Sequence, residues 1–178
     1  MRSKKWKVFP GNTLVAKAVM FAALVSLALP AVAEAATSDS DAVQLIGAWT
    51  VEVTQVDCTS GAPLGPSFTS MITCARGGTM IEDTLNPAFG HGQRGNGQGT
   101  WKNTGTATYS ARTVSLIKYT TPANAKTHNP GFNAGGQTIA QDITFSSGHW
   151  SSTATVTFTD LTGNVYRQGC AVATGNPY

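Results

Sequence analysis

The clearest pattern in the chain runs from 149 to 159, where Trp150, Ser152, Ala154, Val156 and Phe158 alternate with Ser151, Thr153, Thr155, Thr157 and Thr159. One face is mostly apolar and the other carries hydroxyls, the period-two signature of a strand with one side buried. The run at 136–146 repeats it, setting Ile139, Gln141, Ile143 and Phe145 against Thr138, Ala140, Asp142 and Thr144. Near 45–57, Trp49, Val51 and Val53 alternate with Thr50, Glu52 and Thr54. Further strands are predicted near 67–75, 78–85, 98–103, 107–119 and 164–174. The run at 107–119 is ambiguous, since neither of its faces is cleanly apolar. No segment longer than a turn or two has helical periodicity.

Short Gly-bearing links join most of these runs: Arg76-Gly77-Gly78, Asn103-Thr104-Gly105, Ser147-Gly148 and Leu161-Thr162-Gly163-Asn164. Two connections are long, 86–97 and 120–135, and long loops in a compact domain are commonly functional. Eight strands with hairpin links predict an all-β fold: a single eight-stranded antiparallel up-and-down β-barrel without a C-terminal helix, closed on itself so that no sheet edge is exposed. A β-sandwich is the competing architecture. In the meander both long loops fall at one end, the mouth, and the opposite end is the floor. Glu82 and Asp83 are adjacent and so point to opposite faces; Glu82 either lines the interior beside Met80 or sits in solvent, and solvent is the expectation.

Composition supports strands over helices. Beyond residue 35 the chain has 24 Thr and 18 Gly but only 5 Leu. Residues 1–35 are expected to be a signal peptide: a basic start, an apolar run over 18–29 too short for a membrane span, and small residues around Ala33-Glu34-Ala35. Residues 36–44 follow as a flexible N-terminal segment and 45–178 as the barrel domain. Cleavage changes the charge picture. The whole chain carries +3, but five of its 12 basic residues lie in the leader, leaving seven against eight acids. That balance excludes a strongly basic nucleic-acid binder and a polybasic membrane clamp. The expected product is exported, periplasmic or extracellular, with no stable membrane anchor after cleavage.

Export makes the cysteines candidates for oxidation. In a strict meander Cys74 and Cys170 flank the first strand at about twice the 4.7–4.9 Å strand spacing, beyond a disulfide's reach. Cys58 and Cys74 are also apart. Cys58 and Cys170 also look apart if the last strand runs regularly to 174, but Gly169 can mark a bulge and the chain is free to fold back after Cys58, so a Cys58–Cys170 bridge is the expectation; the alternative is no bridge. Cys74 falls in register with Phe68, Ser70 and Ile72, as a buried free thiol would.

Gly47-Ala48-Trp49 resembles the Gly-x-Trp that opens the first strand of lipocalins and related calycin barrels, and it recurs as Gly99-Thr100-Trp101 and Gly148-His149-Trp150. The resemblance implies that Trp49 plugs the closed end of a barrel. It also implies a basic residue late in the barrel over that Trp, for which Arg167 is the last strand's candidate. The meander independently gathers Trp49, Trp101 and Trp150 on the floor.

Barrel mouths are common ligand sites. The expected function is a secreted lipocalin-like protein that binds a small, largely apolar ligand, with Trp49, Trp101, Tyr109, Gln141 and Phe158 as lining candidates. A rim of His91, Arg94, Lys126 and His128 would attract anions at the mouth. No catalytic constellation, cofactor motif or metal-ligand spacing is present in the sequence. Two alternatives stay open: a barrel-fold isomerase or cyclase acting on an apolar substrate through Tyr109, Glu82 or His91, and a non-enzymatic secreted structural or interaction module. Ligand identity and oligomeric state are not encoded in any motif.

Overall fold

The computed structural model describes residues 44–118 and 135–178. The expected signal peptide, nearly all of the segment 36–44, the connection 120–135 up to its last residue, Lys126 and His128 lie outside the described residues. The strands are β1 (Gly47–Val56), β2 (Phe68–Cys74), β3 (Thr79–Thr84), β4 (Gly97–Gly105), β5 (Thr108–Ile117), β6 (Gly135–Ser146), β7 (His149–Thr159) and β8 (Val165–Pro177). Each pairs antiparallel with its sequence neighbour, and β1 also pairs with β8, closing an eight-stranded barrel. The meander expected from the sequence is the observed topology, and the sandwich is excluded.

Alternation decides which side chains go inside. Odd residues of β1, β5, β6 and β8 and even residues of β2, β3 and β7 carry the inner face, apart from the end of β1, where Val56 is also buried. The ambiguous run at 107–119 has its explanation here. Tyr109, Ala111, Thr113, Ser115 and Ile117 are all buried, while Val114 and Leu116 are exposed, so the inner face carries hydroxyls and the outer face carries aliphatics. One turn differs from expectation. β4 continues through Gly105, and the reversal falls at Thr106 and Ala107, the latter at φ 56°, a left-handed conformation uncommon for a residue with a Cβ.

The floor is where the core sits. Trp49, Trp101, Trp150, Tyr109 and Ile143 pack together with Leu45, which is 0 % exposed. Trp49 meets Trp150 edge-on at 6.3 Å and Phe145 at 5.9 Å, and Trp101 meets Tyr109 edge-on at 5.9 Å. Buried indole N–H groups usually find acceptors; Trp150 Nε1 is buried without one among the described residues, but the other two are paired. Trp49 Nε1 donates to the Leu45 carbonyl at 3.0 Å, and Trp101 Nε1 donates to the carbonyls of Thr79 and Ala75 at 3.1 and 3.2 Å. Arg167, the candidate for the basic residue that the calycin resemblance implies, does not lie over Trp49. Arg167 is paired with Phe158, its guanidinium 5.2 Å from that ring, whereas Trp49 is level with Pro177 at the other end of β8.

The Cys58–Cys170 disulfide is present, with Cα atoms 5.2 Å apart. Its geometry comes from the turn after β1, not from Gly169. Asp57 Oδ1 accepts from the Ser60 N–H at 2.7 Å, the Ser60 hydroxyl at 2.9 Å and the Thr59 N–H at 3.0 Å, folding Cys58 back toward β8. These donors, Ser60 foremost, hold the Asp57 carboxyl below its ordinary range. The β1–β8 register runs unbroken through Val56↔Cys170. The irregularity in β8 lies instead where Phe158 faces Arg167 and Thr159 faces Val165.

Cys74 is free and buried as expected. Burial pushes its thiol up to about 12, so the reactive thiolate is scarce at neutral pH. Iodoacetamide should therefore label no cysteine in the native, oxidised protein and Cys74 alone once denaturant is added, as peptide mass mapping would read. Native-state labelling of Cys74 would contradict its burial.

Candidate functional site

Turns after β1, β3 and β7 share the end opposite the tryptophans, and below them the barrel holds a cavity of about 150 Å³. Val51, Val53, Phe68 and Ile72 give it apolar surface on the β1–β2 side, beside Ser70, and Phe158 and Val156 of β7 also line it. Gln141 and Phe158, expected as lining residues, both line the cavity. Trp49, Trp101 and Tyr109 are not among its lining residues and belong to the floor core. The physical reason is bulk: large aromatic rings fill the narrow bore of an eight-stranded barrel, so space remains only where the inner residues are smaller.

A buried polar cluster crosses the upper barrel. Glu82 is not in solvent, as was expected of it, but 7 % exposed. Alternation in β3 takes Met80 and Glu82 inward and leaves Asp83 exposed. Arg94 reaches Glu82 from the β3–β4 connection, with Nη2 2.7 Å from Oε2 and side chains 4 % and 9 % exposed for Arg94 and Glu82. Arg94 Nε donates to Gln137 Oε1 at 2.5 Å. Ser70 donates to the Asp83 carbonyl at 2.7 Å and lies 3.5 Å from Glu82 Oε1. Deeper in the barrel, Ser152 donates to Gln141 Oε1 at 3.2 Å.

Arg94 was expected on an exposed, anion-attracting rim, and that expectation is corrected. Its segment is pinned to the end of β5, with the Gly95 N–H on the Leu116 carbonyl at 2.9 Å and the Lys118 N–H on the Gln93 carbonyl at 2.7 Å. This pairing turns the side chain inward, where Glu82 neutralises it. His91 is exposed in the same connection, and its neighbour Phe89 packs 6.4 Å from Phe158. The connection thus covers part of the mouth with one ring and one buried charge.

Burying two ions costs several kcal/mol each before their attraction and hydrogen bonds offset it. The fold makes room for the pair. A Cβ on Gly97 would stand 2.6 Å from Glu82 Oε2 and 3.2 Å from both Glu82 Cβ and Ser115 Oγ. Glycine here is a cradle for the carboxylate, not merely part of a flexible loop. Because Arg94 fixes that oxygen, Gly97→Ala should destabilise the protein by about 1–3 kcal/mol, in the range of overpacked interiors. Urea unfolding measures it, and a change below ~0.5 kcal/mol would mean that Glu82 moves freely.

Sequence reasoning did not single out Ser70, Gln137 or Ser152, and no motif links Glu82 to Arg94. The available signal was alternation, which puts Ser70 beside Ile72 and Ser152 between Trp150 and Ala154. No protein-family model, curated protein or solved structure matches the chain.

Proposed function

We propose that the protein is an exported, lipocalin-like binding protein that holds a small, largely apolar molecule in the upper half of its barrel. The observation that carries this reading is the cavity itself: concave, with aliphatic and aromatic side chains beside polar ones such as Gln137, Gln141 and Ser152, the mixture that ligand sites present. Gln141 and Phe158 are its proposed contacts, the amide orienting the ligand and the ring packing on it. An unpaired buried amide is costly, so a ligand oxygen near Gln141 would be favoured. The Cys58–Cys170 bridge is consistent with an oxidising compartment, which supports export.

Of the three acid–base groups expected for an isomerase or cyclase, only Glu82 lines the cavity, and it is ion-paired. Binding is therefore favoured over turnover. Native mass spectrometry of protein purified from its own host tests the proposal. A retained small molecule is the expected result. Release of that molecule chemically changed would favour the enzyme. A bare chain, together with failure of any apolar probe to bind, would overturn both readings.

A further inference from the structure

We infer that the cavity takes an uncharged molecule no larger than a substituted ring, an alcohol, phenol, ketone, ester or lactone, and discriminates against carboxylates and amines. This rests on the binding role proposed above and narrows it to a chemical class.

Size comes from the volume. About 150 Å³ is the space that a benzene-sized molecule occupies in an apolar protein cavity. A long alkyl chain would not be enclosed by it.

Charge selection comes from the ion pair. Among the described residues the enclosed charges at the cavity are Glu82 and Arg94, 2.7 Å apart, and they cancel. A ligand carboxylate would have to displace Glu82 from Arg94 and leave one carboxylate buried without a partner. A ligand ammonium meets the mirror problem at Arg94. An uncompensated charge in such surroundings is strongly disfavoured. The third charged lining residue, Arg167, is exposed and held over the Phe158 ring, so water and salt screen it. What is left for a ligand is neutral hydrogen bonding. Ser152 occupies the Gln141 oxygen and Arg94 occupies the Gln137 oxygen, so the two amide NH₂ groups remain as donors suited to a ligand oxygen.

Titration of the disulfide-bonded protein with benzyl alcohol, benzoate, benzylammonium and decanol, followed by amide NMR shifts, tests this. Benzyl alcohol should move resonances of the lining strands and bind at least about tenfold more tightly than the other three. In Glu82→Gln the Arg94 charge is left uncancelled, and benzoate affinity should rise at least about tenfold. Arg94→Gln should give the mirror gain for benzylammonium. The wild-type ranking needs neither variant, so it decides the matter even if both fail to fold. Benzoate or decanol binding wild type as tightly as benzyl alcohol would overturn the inference and leave the binding role intact. So would Glu82→Gln that folds without a gain for benzoate. No resonance moved by any of the four probes would remove the binding role as well.

Discussion

Trp49→Ala is expected to lower the unfolding free energy by about 3–5 kcal/mol, the range for buried aromatic truncations. Trp49 is 5 % exposed and stands at the centre of the floor, touching Phe145 and Trp150 edge-on. Its loss acts twice. A cavity opens among rings that cannot collapse inward, because closed strands hold their positions around the bore. The carbonyl of Leu45, a fully buried residue, also loses its indole donor, and a buried polar group left without a partner costs about 1–3 kcal/mol. Trp49→Phe keeps a ring but not the donor and should fall between the variant and wild type. Denaturant midpoints at unchanged slope are the measurement. A loss below ~1 kcal/mol for Trp49→Ala would show that the floor does not depend on its plug.

The floor was legible in the sequence because two simple regularities meet there. Period-two alternation fixed which residues face inward, and the meander fixed which end each strand starts from. Together they brought Trp49, Trp101 and Trp150 into one cluster. The turn at Thr106–Ala107 was not legible, since Asn103-Thr104-Gly105 has better turn chemistry than a residue that must adopt a positive φ. The upper barrel was legible only in part. Gln141 and Phe158 line the cavity because they sit on cleanly alternating strands. Trp49, Trp101 and Tyr109 were expected there as well, because alternation reports inside from outside but not height along the barrel axis.

The ion pair was hidden for a different reason. Nothing periodic connects Glu82 to Arg94. Their meeting depends on Gln93 and Gly95 pairing with the end of β5, a tertiary event in a connection that reads as Gly-rich coil. A charged residue on a strand is ordinarily solvated, which made solvent the reasonable expectation for Glu82. The same reasoning sent Arg94 to the rim. Each residue looks exposed alone, and each is buried because the other is there. Arg167 differs in the same spirit: β8 is long enough to carry Arg167 at the mouth and Pro177 at the floor, so the calycin-like contact with Trp49 is out of its reach.

Breaking the disulfide should have an effect as large as removing the plug. Cys58 and Cys170 are 112 residues apart in sequence, and closing a loop of that length is worth about 4–5 kcal/mol in the chain-entropy model. The place of the bridge matters as much as its span. Seven strand pairings of the meander join sequence neighbours, but β1 with β8 joins the ends, from Trp49↔Pro177 to Val56↔Cys170. That seam carries the largest single loop-closure cost in the barrel, and the bridge sits at its mouth end. With the bridge intact the unfolded chain has already met that cost; without it, hydrogen bonds and side-chain packing along the seam must. Cys58→Ser and reduction of the wild type should therefore lower stability by similar amounts, about 4–5 kcal/mol, in urea unfolding at matched pH. Reductant should leave Cys58→Ser/Cys170→Ser unchanged, which separates the bridge from any effect on Cys74. Peptide mapping of oxidised protein should recover Cys58 joined to Cys170. A Cys58 peptide found as a free thiol, or a reductant effect below ~1 kcal/mol, would mean that the seam holds itself closed.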